Sequence, residues 1–154
     1  MTEVSRSGGH RSKYSPGTVY AIPLGPEQFV AARRHHDALA VLSRVFSRQP
    51  NIADVVDCRV AFFGHCVSTA IKSGRWKVIG KWPNDSEDFL QDPMTYSEDV
   101  LSPGSFRLVG RRDLIKTTPL GIVGLDPFVM DSLPEHFEER IRRKIQDGLF
   151  ERIL

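Results

Sequence analysis

At 154 residues, with 40% apolar and 26% charged residues, the chain has the size and composition of one domain, able to bury about two thirds of its unfolded surface. These values exclude wholesale disorder, and no apolar run approaches the roughly twenty residues that span a bilayer. A net charge of +2 argues against a strongly basic nucleic-acid binder.

Residues 1–15 carry Arg6, Arg11 and Lys13 but no apolar segment, so they read as a disordered leader and not as a secretory signal. Residues 16–154 are expected to form a single domain. Thr18–Ile22 and Gln28–Arg34 predict a hairpin across Leu24-Gly-Pro-Glu27, where Gly and Pro supply the turn. Ala38–Phe46 would pass alone for a helix, because Ala and Leu favour that state, but its neighbours favour a third strand. Asn51 can cap a short helix over Ile52–Asp57. Arg59–Val67 predicts a strand buried on both faces, Ser68–Ser73 a turn or one helical turn, and Trp76–Lys81 a further strand released by Gly74.

From Trp82 to Pro103 the composition shifts to Pro, Asp, Glu and Ser, with Phe89, Leu90, Met94 and Tyr96 as isolated anchors. That pattern predicts a long surface loop, and such loops often carry function. Ser105–Val109 and Asp113–Thr117 alternate as short strands, followed by a glycine-bearing connection at Gly121 and Gly124. The last element is the clearest. Ser132 and Glu135 form a capping-box pattern, acids precede bases as the helix dipole prefers, Phe137, Ile141 and Ile145 give one apolar stripe, and Gly148 marks the stop.

Two short runs carry a family likeness. Gly17-Thr-Val-Tyr-Ala-Ile-Pro-Leu-Gly25 and Gly74-Arg-Trp-Lys-Val-Ile-Gly80 are apolar strands bracketed by turn residues, and together with the C-terminal charged helix they resemble the immunity protein 26 family. Its members are small bacterial proteins encoded beside secreted toxins and thought to neutralise them. A small phosphotriesterase-like protein is grouped with them. The resemblance covers residues 17 to about 148 and also favours a strand over Ala38–Phe46. It implies a cytoplasmic protein that binds a cognate toxin. A phosphotriesterase-type hydrolase and an interaction domain without a toxin partner are the alternatives.

The fold expected is α+β: a bent, mainly antiparallel sheet of about five to seven strands, or a partly open barrel, with the C-terminal helix packed on it. Tyr20, Ile22, Pro23, Trp76 and Gly80 are its expected structural residues, and Trp76 is expected beside Tyr20, Ile22 and Ile79.

Catalytic grammar is sparse. A metal-dependent hydrolase needs several His or carboxylate ligands on one ion, yet the chain holds no His-x-His and no His-Glu-x-x-His. His35 and His36 are neighbours, which a strand points to opposite faces, and both read as surface histidines at a hairpin end. There is no Gly-x-Ser-x-Gly elbow and no phosphate-binding glycine loop. Cys66 beside His65 sits among apolar residues, where a thiol behaves as a small apolar group. On one continuous strand Cys58 and Cys66 would stand about 26 Å apart, too far to bridge, so free thiols in a reducing compartment are expected. No catalytic residue, metal or cofactor is assigned.

Charge distribution points instead to binding. Asp85, Glu87, Asp88, Asp92, Glu98 and Asp99 fall in a stretch without Lys or Arg between Lys81 and Arg107, whereas Arg33, Arg34, Arg44 and Arg48 cluster elsewhere. Trp82, expected as an exposed anchor, with Asp85, Glu87, Asp88, Phe89, Asp92 and Tyr96, forms the candidate partner-binding set. Acids steer a basic partner and aromatics anchor it.

Overall fold

Two-residue periodicity and a tight turn decide the first half of the molecule. In the computed structural model, which describes residues 14–66, 68–84, 86, 88–90, 95–98, 101, 103, 105–108, 114–116, 126–127, 130–131 and 133–152, β1 (Thr18–Gly25) and β2 (Gln28–Arg34) form the expected antiparallel hairpin. Pro26 and Glu27 make its turn. The ambiguous segment after it is a strand, β3 (Ala38–Leu42), followed by the two-residue β4 (Arg44–Val45). Here tertiary pairing overrides helix propensity: β3 is flanked by β2 and by β5 (Val60–Cys66) on its two edges.

Between β4 and β5 lies the short helix α1 (Ile52–Val55). Asn51 caps it through its side chain, and Asp54 returns the bond to the Asn51 N–H, a full capping box. After β5, one turn of helix, α2 (Thr69–Lys72), leads to Gly74, whose φ of 83° is a left-handed conformation that glycine adopts without a Cβ clash. β6 (Lys77–Lys81) then pairs antiparallel with β1.

The order β5-β3-β2-β1-β6 makes a bent, open antiparallel sheet, and β11 (Met130–Asp131) adds to β5 in parallel as an outer sixth strand. The helix α3 (Pro134–Gln146) packs on this sheet, and β12 (Glu151–Arg152) pairs with β4. The class is α+β, as the sequence predicts. The helix start differs from expectation: Leu133 is the N-cap, without a side-chain cap bond, and Pro134 opens the helix. Proline suits that first turn because its missing N–H would have had no intrahelical partner. Ser132 lies outside the described residues, as do Gly121 and Gly124 and residues 1–13. Tyr14 packs against the core, and Ser15 Oγ accepts from Lys81 Nζ at 2.8 Å, so these two residues of the expected leader are bonded to the fold.

Two apolar clusters lie on the two faces of the sheet. On the helix side, Tyr20, Ile22, Val30, Ala32, Leu39, Val41, Phe62 and Trp76 meet Phe137, Ile141 and Ile145 of α3. On the other, Val19, Ala31, Leu42, Phe46, Val55 and Trp82 are joined by Phe29, Ile52, Val60 and Ile79. Ile79 therefore packs with the second cluster and not beside Trp76, since the strand pleat separates the two faces. Pro23 is half-buried in β1, at the register shift before the turn. Gly80 is held where a Cβ would come within 3.0 Å of Ile52.

The chain divides into two compact units. Residues 93–129 form the second, the rest the first. The second unit holds a four-stranded sheet, β10-β7-β8-β9, built from β7 (Thr95–Glu98), β8 (Ser105–Leu108), β9 (Leu114–Lys116) and β10 (Asp126–Pro127). Strand β7 lies inside the stretch expected as one long loop. Polar composition masked a short strand whose stability comes from pairing with β8 and β10. Among the described residues no helix is long and apolar enough to cross a membrane.

Candidate functional site

Strand register places the polar residues of the sheet on the face opposite α3. Val19 pairs with Arg33, Arg33 with Ala40, and Ala40 with Phe63; one strand step away, Ala38 pairs with His65, while the His35 N–H donates to Ala38 O at 2.9 Å. Residues opposite one another share a face. Arg33, His35, Ala38, Ala40, Phe63 and His65 therefore line one region. Arg33, His35 and His65 are all buried. The reading of His35 as a surface residue is corrected: it turns inward, its ring edge-on to Phe63 at 5.2 Å, and only His36 is exposed.

Arg33 is the centre of this region. Its Nε donates to His35 Nε2 at 3.4 Å, which requires that nitrogen to carry a lone pair, the proton of a neutral ring then residing on Nδ1. The guanidinium carbon lies 4.5 Å from the Trp82 ring centroid and 4.8 Å from that of Phe89. The two rings are within 7° of parallel, 6.5 Å apart. Burial pulls the Arg33 pKa below its ordinary value, and no carboxylate pairs with it among the described residues.

Local backbone bonds put the aromatics there. The Trp82 N–H donates to Gly17 O at 2.6 Å, and the Gly17 N–H to Arg34 O at 2.7 Å, which fixes Trp82 against the end of β2. The segment beyond is a built turn: Asn84 Oδ1 accepts from the Ser86 N–H at 3.3 Å, Ser86 Oγ from the Phe89 N–H at 3.3 Å, and Ser86 O from the Leu90 N–H at 3.1 Å. Leu90 is buried and Phe89 is 41% exposed.

The predicted partner-binding set is thus only partly assembled. Trp82 is 8% exposed, a correction to its reading as a surface anchor: apolar neighbours of the second cluster and the Arg33 cation cover it. Phe89 is the ring at the surface, and Asp88 beside it is exposed. Tyr96 belongs to β7 in the second unit. Asp85, Glu87 and Asp92 lie outside the described residues. Sequence reading missed Arg33, because an arginine in a run of two reads as surface charge; its position opposite Val19 in the pleat was the available signal.

Other polar contacts hold the fold. Glu138, nearly fully buried, accepts from Arg75 Nε and Nη2 and from Trp76 Nε1, all at 2.8 Å. Burial alone would raise the Glu138 carboxyl, but these donors outweigh it and hold the group below its ordinary value. Arg142 Nε and Nη2 both donate to Leu24 O, at 3.1 and 2.9 Å. Arg44 lies 3.0 Å from Asp57 and 3.6 Å from Glu151, and Glu151 is 3.3 Å from Arg59, tying the C-terminal strand to β4. The Cys58 thiol nearby is free, and burial pushes its pKa up, the opposite of what a thiolate nucleophile needs. Among the described residues no three His, Cys, Asp or Glu side chains converge to hold a metal ion. His136, Glu139, Arg140 and Arg143 line a surface cavity of about 250 Å³ on one face of α3, where Glu139 and Arg143 approach to 3.7 Å.

Comparison of the chain with models of known families, with characterised proteins and with solved structures finds no match.

Proposed function

We propose that this chain is an immunity-type protein that binds a cognate bacterial toxin in the cytoplasm and neutralises it by covering its working surface, without chemistry of its own. The observation that carries the reading is Phe89. Its ring is half in solvent, yet it is held in one place by the Ser86 turn, by the stack on Trp82 and by Arg33. A pre-ordered aromatic loses little freedom on binding, which is the property of interface anchors.

Around it the sequence sets acids, Asp85, Glu87, Asp88 and Asp92, with no base between Lys81 and Arg107. Such an acidic run suits a basic partner, the surface expected of a toxin whose target is an anion. The likeness of the Gly17–Gly25 and Gly74–Gly80 runs to immunity proteins supports the same reading.

The test is binding to the product of the adjacent reading frame, by co-purification and by kinetics. Phe89→Ala is expected to leave the fold intact and weaken the complex by about 10- to 100-fold, the range for losing an aromatic hot spot. A tight complex indifferent to this substitution would place the interface elsewhere. No complex with the neighbouring gene product would remove the toxin reading.

A further inference from the structure

We propose that Arg33, with His35 beside it and His65 across the Ala38 register, forms a binding site for a compact oxyanion under the Trp82–Phe89 pair. The inference is independent of the toxin reading. It starts from the cost of the arrangement: Arg33 is 5% exposed, and a buried guanidinium is unfavourable unless its charge is compensated. Among the described residues, Arg75 and Arg44 have carboxylates, Glu138 and Asp57. Arg33 has two aromatic rings and an imidazole instead.

Two ring centroids lie within 5 Å of the guanidinium carbon and compensate part of its charge through π contacts, and His35 Nε2 accepts from the Nε–H. The remaining donors of a guanidinium lie at its forked edge, in its plane, where a carboxylate or phosphoryl group binds with two oxygens. Ala38 and Ala40, buried and small, are the residues that the sheet places between Arg33 and His65. Phe89, whose ring centroid lies 4.8 Å from the guanidinium carbon, is part-exposed.

The shared chemistry is an oxyanion with two oxygens for the fork; phosphate and carboxylate are separated by experiment. Thermal unfolding of the intact chain is followed in inorganic phosphate, in acetate and in chloride at matched ionic strength. A site-bound anion is expected to raise Tm saturably above the chloride series, by about 3 °C or more at tenfold its dissociation constant. Stabilisation by phosphate alone assigns a phosphoryl ligand, and stabilisation by acetate above that by phosphate assigns a carboxylate. Arg33→Lys keeps the charge but loses the fork, and the anion-specific shift is expected to vanish in it.

Should Arg33→Lys not fold, the wild-type chain still decides: the Arg33 Nε–H resonance, identified by its contacts to the Trp82 and Phe89 rings, is expected to move during the phosphate or acetate titration with the same midpoint as the Tm shift. Equal Tm in all three salts, or an anion effect that survives Arg33→Lys unchanged, would show Arg33 to be a structural cation only and overturn the proposal.

Discussion

Trp76 and Glu138 show how one residue can serve both the core and its polar lock. The indole is buried against Tyr20, Ile22 and Phe137, at 5.4 Å from the last ring, and gives its N–H to Glu138. Truncation by Trp76→Ala removes the packing and leaves Glu138 with one donor fewer, so a loss of about 3–5 kcal/mol is expected. Chemical denaturation measures it; a loss under about 1 kcal/mol would contradict the core role. Glu138→Gln keeps the shape and removes the charge. Because the Arg75 side chain is 40% exposed, water takes over part of its solvation, and a cost of about 2 kcal/mol is expected rather than the full value for breaking a buried pair. The pH dependence has a definite sign. With its folded pKa below the unfolded value, Glu138 stabilises the fold above the ordinary carboxylate range and loses that contribution as pH falls through the folded pKa. Acid unfolding curves of Glu138→Gln should lack this segment, and curves superimposable on wild type would show that the carboxylate does not supply it.

At the scale of elements, α3 and β5 meet at a glycine. A Cβ on Gly64 would collide with the Phe137 ring, which is itself fully buried, so neither side can yield freely. Gly64→Ala is expected to cost about 1–3 kcal/mol, as overpacking does, and Phe137→Leu in the same chain should recover part of it, a coupling that a double-mutant cycle reads directly. Additive losses would mean the two elements do not touch there. Elements with strong local chemistry were legible in the sequence: the Pro26 turn of the β1–β2 hairpin, the Asn51 cap, the Phe137–Ile141–Ile145 stripe. What depended on partners far along the chain was not. β7 is written in Thr, Tyr, Ser and Glu, and only its neighbours β8 and β10 make it a strand. Nor does a proline at position 134 announce that it, and not the capping-box serine pattern, opens the helix.

For the molecule as a whole, the candidate site was legible as composition but not as depth. The acidic stretch and its aromatics stand out in the chain, yet which ring faces water depends on the fold: Trp82 went under β2's Arg33 and Phe89 came out. The basic cluster of Arg33, Arg34, Arg44 and Arg48 is a poor alternative surface, because Arg33 is buried and Arg44 is engaged by Asp57 and Glu151. This sharpens the test of the acidic rim. If the four acids act as solvated charges, replacing Asp85, Asp88 and Asp92 by Asn and Glu87 by Gln together leaves stability nearly unchanged, since such charges contribute little. If these acids steer the toxin, the quadruple variant associates more slowly at low salt, its on-rate depends less on ionic strength, and its off-rate stays close to wild type, because rim charges act on encounter more than on residence. Phe89→Ala has the opposite signature, a faster off-rate with the on-rate preserved. Stopped-flow kinetics at several salt concentrations, with rescue of toxin-expressing cells, separates the two. An unchanged on-rate and full protection by the quadruple variant would exclude the rim, and the basic run at 107–116 would become the surface to test.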